Sequence, residues 1–232
     1  MRIDIVSCVP ELLFSPLNHS ILKRAQEKKL LEVYVHNLRD YSEDKHKSVD
    51  DYPYGGGSGM VLSAPPLANA IKNLSQKYSY DEIIFLTPDG EVFNQKMANQ
   101  LSLKQNLLLI AGHYKGIDQR IRDKYVTKEI SIGDYVLSGG ELPALILVDA
   151  IGRLIPGVLG DETSALTDSF QNLLLDAPCY TRPAIFEELS VPEVLLSGNH
   201  QKIEVWRLQQ SIEKTKIKRP DLFKKWEESE IS

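Results

Sequence analysis

Gly-Asp-Tyr-Val-Leu-Ser-Gly-Gly-Glu-Leu-Pro, from Gly133 to Pro143, leaves an apolar strand, turns through glycines and enters a helix apolar on nearly every face. Ligands of α/β proteins sit outside the carboxyl ends of strands, where loops expose backbone N–H and C=O groups. Glycines there permit φ > 0 and let backbone approach a ligand with no Cβ between. Two further strand ends carry similar loops, Pro88-Asp89-Gly90 and Gly112-His113-Tyr114-Lys115-Gly116. Each alone reads equally well as an ordinary strand-to-helix turn. Three in one small domain predict a single pocket built largely from backbone.

Working outward from that run, apolar strands and amphipathic helices alternate. Strands are predicted at Arg2–Ser7, Leu31–His36, Glu82–Thr87, Asn106–Ala111 and Val126–Ile132. A helical segment broken by Pro16 follows the first strand, and further helices are predicted at Asn94–Ser102 and Ile117–Tyr125. Ser63 is placed to cap another, with Pro65 and Pro66 in its first turn and Leu67, Ile71 and Leu74 on its apolar face. The alternation argues for an α/β fold, a mainly parallel sheet with helices on both faces. Leu38 to Leu62 has little periodicity and four glycines, a loop long enough to be functional or disordered. Leu142 to Ile155 carries only Asp149 and Arg153 as charges, so it is read as buried, preferably against another subunit.

Past Pro156 the composition turns to Gly, Asp, Glu, Thr and Ser, and then the pattern becomes helical. Asn199 is placed to cap a helix bearing Ile203, Trp206 and Ile212, and Pro220 opens a last one. The expected organisation is a ligand-binding domain over residues 1–160, a flexible linker over 161–168, and a small all-helical domain over 169–232.

A chain of 232 residues with 42% apolar content can fill such a core. Its net charge of −5 argues against coating nucleic acid non-specifically, though Lys214, Lys216, Lys218 and Arg219, with Lys224 and Lys225 beyond, make a local basic patch or a solvated helix end. Cys8 and Cys179 stand alone and far apart, so neither a metal set nor a disulfide framework is expected. No stretch approaches the roughly 20 apolar residues a membrane span needs. The N-terminal run is too short for a signal peptide. The expectation is a cytoplasmic protein that meets no membrane.

Seven blocks in order carry a resemblance. They are Asp50-Asp51-Tyr52-Pro53-Tyr54-Gly55-Gly56-Gly57-Ser58-Gly59-Met60, the three loops above, Thr167-Asp168-Ser169-Phe170 with Tyr180-Thr181-Arg182-Pro183, and Val191 through His200. With them the chain closely resembles, nearly end to end, the bacterial tRNA (guanine-N1)-methyltransferases. The resemblance implies a deep trefoil knot, which periodicity does not reveal, and a homodimer. It also implies S-adenosylmethionine held by the knot loops, at Pro88, Gly90, Gly112, Tyr114, Ile132, Gly133, Asp134, Tyr135, Val136, Leu137, Gly139, Gly140 and Pro143. The open-sheet alternative would offer G-x-G-x-x-G after its first strand, and no such run occurs.

The implied partner is the anticodon stem-loop of tRNA, not DNA. His46, Asp50, Tyr54, Gly57, Ser164, Arg182, Asn199 and His200 are its implied contacts. N1 of guanine carries a proton, so methylation there asks for a carboxylate near N1 and a cation or N–H donor near O6. The resemblance gives the first role to Asp168 and the second to Arg153. Read from the residues alone, Asp168 could equally cap a helix, and Arg153 could pair with Asp149 four residues earlier. Asp50 and Asp51 are too few for a Mg²⁺ site. Tyr52, Ser58, His113 and Lys115 depart from the family's usual arginine, proline, arginine and glutamate, the last a charge reversal beside the pocket. A knotted methyltransferase acting on another RNA site, such as a ribose 2′-hydroxyl, and a non-catalytic RNA-binding module are the two rival readings.

Overall fold

Residues 1–160 and 168–231 are described by the computed structural model. Two compact units follow one another along the chain, Met1–Gly160 and Asp161–Ser232.

The first unit is built on β1 (Arg2–Ser7), β2 (Glu32–Asn37), β5 (Glu82–Val92), β6 (Asn106–Ala111) and β7 (Lys128–Ser131). They form one sheet in the order β2-β1-β6-β5-β7, and every pairing is parallel. Alternate residues feed two cores. Ile3, Ile5, Leu107, Leu109 and Ile84 face one side, against α1 (Glu11–Leu17), α2 (Ser20–Glu27), α4 (Gln95–Ser102) and α6 (Glu141–Gly152). Val6, Leu108, Ile110 and Phe85 face the other, against α3 (Ala64–Ser75) and α5 (Gln119–Tyr125). Each such side chain stabilises by about 1.5–3 kcal/mol when fully buried, and in β6 Leu107–Ala111 form an unbroken apolar run.

Caps follow the donors available. Asn94 Oδ1 accepts from Met97 N (3.0 Å) and Asp118 Oδ1 from Arg120 N (2.9 Å). Ser63 stands before α3 as expected, yet its side chain makes no cap bond. The reason lies in the next residues. A cap accepts from the second or third helical N–H, and here these are Pro65 and Pro66, which have none.

β5 runs past its predicted end. Its register against β7 shifts between Leu86 and Glu91, and pairing resumes at Glu91 and Val92. The intervening residues bulge outward around Pro88, which cannot donate to a ladder. Gly90 sits where a Cβ would fall 2.5 Å from Ile130 N. The long loop after β2 holds a 3-10 turn (Leu38–Tyr41) and a two-rung hairpin, β3 (Asp50–Asp51) with β4 (Val61–Leu62).

α6 is not apolar to a partner on all sides. Leu147, Val148 and Ile151 are fully buried within the unit, whereas Leu142 and Ile146 are 54% and 44% exposed. The helix also ends at Gly152, with Arg153 as its C-cap. Only a strip of this helix is open to another subunit.

The second unit holds a turn over 169–172, β8 (Ile185–Phe186), β9 (Leu189–Ser190), α7 (Glu193–Leu196), α8 (His200–Lys218) and α9 (Pro220–Ile231). The all-helical expectation is therefore corrected by the antiparallel β8–β9 hairpin. Its two turn residues, Glu187 and Glu188, both have φ > 0 (45° and 68°), the geometry of a tight two-residue hairpin. Such turns usually signal themselves as Asn-Gly, and Glu-Glu hides this one. Thr215 anchors the unit: wholly buried on α8, its hydroxyl donates to Ser211 O (2.6 Å) and accepts from Leu175 N (2.8 Å).

Candidate functional site

At the carboxyl ends of β5, β6 and β7 the three glycine-bearing loops enclose one cavity of about 250 Å³. Phe85, Leu86 and Ile130 form its floor. Thr87 and Pro88 supply one wall, and Gly112 through Gly116 supply a second. The third comes from Ser131 to Gly133, Tyr135 to Gly140, and Pro143 at the start of α6. Gly90 and Asp134 are not among the lining residues. Gly90 is a glycine because β7 passes against it, and its neighbour Asp89 turns away to Arg122 Nη2 (2.7 Å). Arg122 also forks onto Glu129 with two bonds of 2.7 Å, tying the first loop to β7.

Backbone proximity holds the second and third loops together. Gly140 N donates to Gly112 O at 2.6 Å, and His113 bridges Gly139. A Cβ on Gly140 would lie 2.7 Å from Gly112 N and 2.8 Å from Ala111 Cα. Gly140 has φ −83°, so close packing rather than a left-handed backbone requires the glycine. The walls expose Tyr114, Tyr135 and Val136, an apolar lining with few full charges.

Below the cavity lies a polar group that the sequence did not disclose. Glu141 is 1% exposed, and its Oε1 accepts from Ser7 Oγ (2.7 Å). Its Oε2 lies 3.6 Å from His113 Nδ1, a buried nitrogen with no hydrogen-bond partner. Cys8 completes the group. Burial, with the Glu141 charge adding to it, pushes its thiol up to about 11. Side-chain donor atoms of Cys8, His113 and Glu141 fall within 4.8 Å of one another, the only group among the described residues placed to hold a metal. A thiol kept protonated is a poor ligand, since the thiolate is what binds metals. These residues are 133 positions apart or nearer, so no sequence spacing could have found them.

The remaining predicted residues lie elsewhere. Arg153 is half-buried, and its N–H donates to Asp149 O (3.1 Å). Asp168, also half-buried, lines a separate cavity of about 930 Å³ within the second unit, with Tyr180, Arg182 and Arg207. Its carbonyl accepts from Gln171 N (3.4 Å) in a turn, so it does not cap a helix there. His46 and Tyr54 are exposed on the loop between β2 and β4, Asp50 belongs to β3, and Gly57 has φ 112°. Arg182 is exposed in the second unit. Asn199 Oδ1 caps α8 through Lys202 N (3.2 Å), and His200 is that helix's first residue. Ser164 and the expected linker up to Thr167 lie outside the described residues. Within the basic patch, Lys214 Nζ donates to Asp176 O (2.7 Å) and Arg219 pairs with Asp221, so these two cations serve the unit's own packing. Among the described residues no helix is long and apolar enough to cross a membrane.

Residues 1–225 match the family described as tRNA (Guanine-1)-methyltransferase TrmD. A protein of Flavobacterium psychrophilum named tRNA (guanine-N(1)-)-methyltransferase is 61% identical over 223 residues, 96% of this chain and 99% of its own. Proteins of the same name from Azobacteroides pseudotrichonymphae and Bacteroides thetaiotaomicron are 60% and 59% identical, again over 96% of this chain and 100% and 99% of theirs. With a cleft at the strand ends and a match from end to end, the chain belongs to the tRNA (guanine-1)-methyltransferase family of enzymes.

Proposed function

We propose that this chain transfers a methyl group from S-adenosylmethionine to N1 of guanine 37, beside the anticodon of tRNA. The observation that carries the reading is the cleft between the three loops. An adenine needs flat apolar walls and edge hydrogen bonds, and Leu137, Tyr135, Pro143 and the backbone of residues 131–133 and 135–140 offer both. S-adenosylmethionine supplies, when bound, an electrophilic methyl on a cationic sulfur, so the donor needs little activation.

The difficulty lies at the acceptor. Asp168 accepts the N1 proton as the new bond forms, and Arg153 stabilises the charge that spreads towards O6. A carboxylate in a turn beside Tyr180 and Arg182, in a cavity able to admit a nucleobase, supports the first role. An arginine at the end of an apolar helix supports the second. RNA is read where its bases are unstacked. The exposed tip at His46, Tyr54 and Gly57 and the exposed Arg182 and His200 are suited to such a loop. Asp50 and Asn199 fix the backbone beside them.

Two finer points belong to the same reading. Tight backbone crossings at Gly90 with β7 and at Gly140 with Gly112 support a deep trefoil knot. The exposed apolar residues Leu142 and Ile146 on a helix whose other apolar residues are mostly buried support a homodimer. The first unit would then hold the donor, and the second would bind tRNA.

Incubating the protein with S-adenosylmethionine labelled in the methyl group and with bulk tRNA, then digesting to nucleosides, tests the reading. 1-Methylguanosine is the expected product. Label in a ribose 2′-O-methyl nucleoside, or no label despite RNA binding, would reject it.

A further inference from the structure

The cleft of the first unit is lined by apolar side chains, glycines, hydroxyls, one imidazole and a single side chain of fixed formal charge, Lys115. Among the described residues Lys115 forms no ion pair. Its place is set from both ends. Its N–H donates to Met60 O (3.0 Å), and its stem lies so close to Gly59 that a Cβ there would fall 3.1 Å from Cγ and 3.2 Å from Cε. The methylenes thus pack on the glycine-rich tip, while the residue stays exposed at the cleft. A long side chain pinned along its stem has already lost much of its rotamer freedom, so a salt bridge to it costs less to form.

A lone cation in an otherwise uncharged cleft calls for an anionic group on the ligand. On the reading above, the ligand has one such group, the carboxylate of its methionine end. We propose that Lys115 binds the carboxylate of the methyl donor and makes the cleft select ligands bearing the amino-acid tail over nucleoside thioethers that lack it. The adenine and ribose remain the task of the backbone loops, and the tail is the task of Lys115. A tRNA phosphate is the other anion that could meet this cation, and the test separates the two.

Calorimetry would compare S-adenosylhomocysteine with 5′-methylthioadenosine, which lacks the amino-acid tail, on the parent protein and on Lys115→Met. Methionine keeps the stem that packs on Gly59 and removes the charge, and an unchanged melting temperature verifies the fold. The expected result is a loss of about five- to tenfold in S-adenosylhomocysteine affinity, with 5′-methylthioadenosine unaffected and Lys115→Arg restoring most of the loss. Equal effects on both ligands, or none on either, overturn the assignment. So does a loss confined to tRNA affinity, measured by filter binding on the same two proteins, which would give the cation to a phosphate. If the parent protein binds neither ligand, the donor reading itself fails and this inference falls with it.

Discussion

Asp4 is wholly buried and stays ionised because two bases meet it. Arg2 donates through Nε (2.6 Å) and Nη2 (2.8 Å), and His36 Nε2 donates at 2.6 Å. Arg2 is itself sandwiched between the rings of Tyr34 and Tyr78, at 3.8 and 3.7 Å. Burial alone would raise the Asp4 carboxyl, but the hydrogen bonds from His36 and Arg2 outweigh it and hold the group below the usual carboxylate range. A depressed folded value stabilises above the unfolded value of about 4, and that contribution is lost as pH falls through the folded value. Urea denaturation between neutral pH and pH 3 should therefore show an acid limb that Asp4→Asn flattens. At neutral pH the same variant should cost roughly 3 kcal/mol, because Arg2 loses its partner. At the other charged residue that matters, Asp168→Asn keeps shape and removes basicity. Single-turnover methylation should fall by about 10²–10⁴-fold, and S-adenosylmethionine affinity should hold, since Asp168 does not line the donor cleft. A variant that methylates at the parent rate would remove Asp168 from the chemistry.

Elements carry a different kind of prediction, because an element fixes which face a residue shows. Ser63→Ala should change stability by only a few tenths of a kcal/mol, whereas Asn94→Ala should cost about 1 kcal/mol. Both are N-caps, but only Asn94 has an N–H to accept from. Thermal melts of the two variants check this. On α6, Ile146→Glu should leave the monomer folded and drive the proposed dimer apart, while Leu147→Glu should unfold the protein by burying an unpaired carboxylate. Sedimentation and circular dichroism separate these outcomes, and a dimer unmoved by Ile146→Glu would place the subunit contact elsewhere. The central strand β6 was legible because Leu107–Ala111 is wholly apolar and buried, whereas β2 and β7 carry charged, partly exposed residues. The β8–β9 turn was not, since Glu187 and Glu188 adopt φ > 0 without the usual glycine. The loops that line the cleft were legible through their glycines, yet Gly90 owes its identity to β7 rather than to the cleft. Ser7, Cys8, His113 and Glu141 meet only through the fold, from positions no local pattern connects. A mostly apolar helix reads as all-buried from composition. Which of its strips stays open depends on the sheet it lies on.

At the scale of the whole molecule, Arg153 stands near the end of the first compact unit and Asp168 near the start of the second. The first unit offers a preformed cleft with backbone walls, and the second offers a buried anchor at Thr215 with exposed polar loops around it. The cleft walls depend on close backbone packing, so the glycines at their crossings cannot gain a side chain. Gly140→Val should therefore damage folding as well as donor affinity, because the new side chain meets the backbone of Ala111 and Gly112. A lowered melting temperature alongside weaker binding is the expected pair of results. Methylation of N1 of guanine 37 is the step on which the proposed function rests. The most direct measurement uses two tRNA transcripts differing only at that position, one with guanosine and one with adenosine, under single turnover with labelled S-adenosylmethionine. Label should enter the first alone and be recovered as 1-methylguanosine. Equal labelling of both transcripts, or label recovered from any other nucleoside, would contradict it.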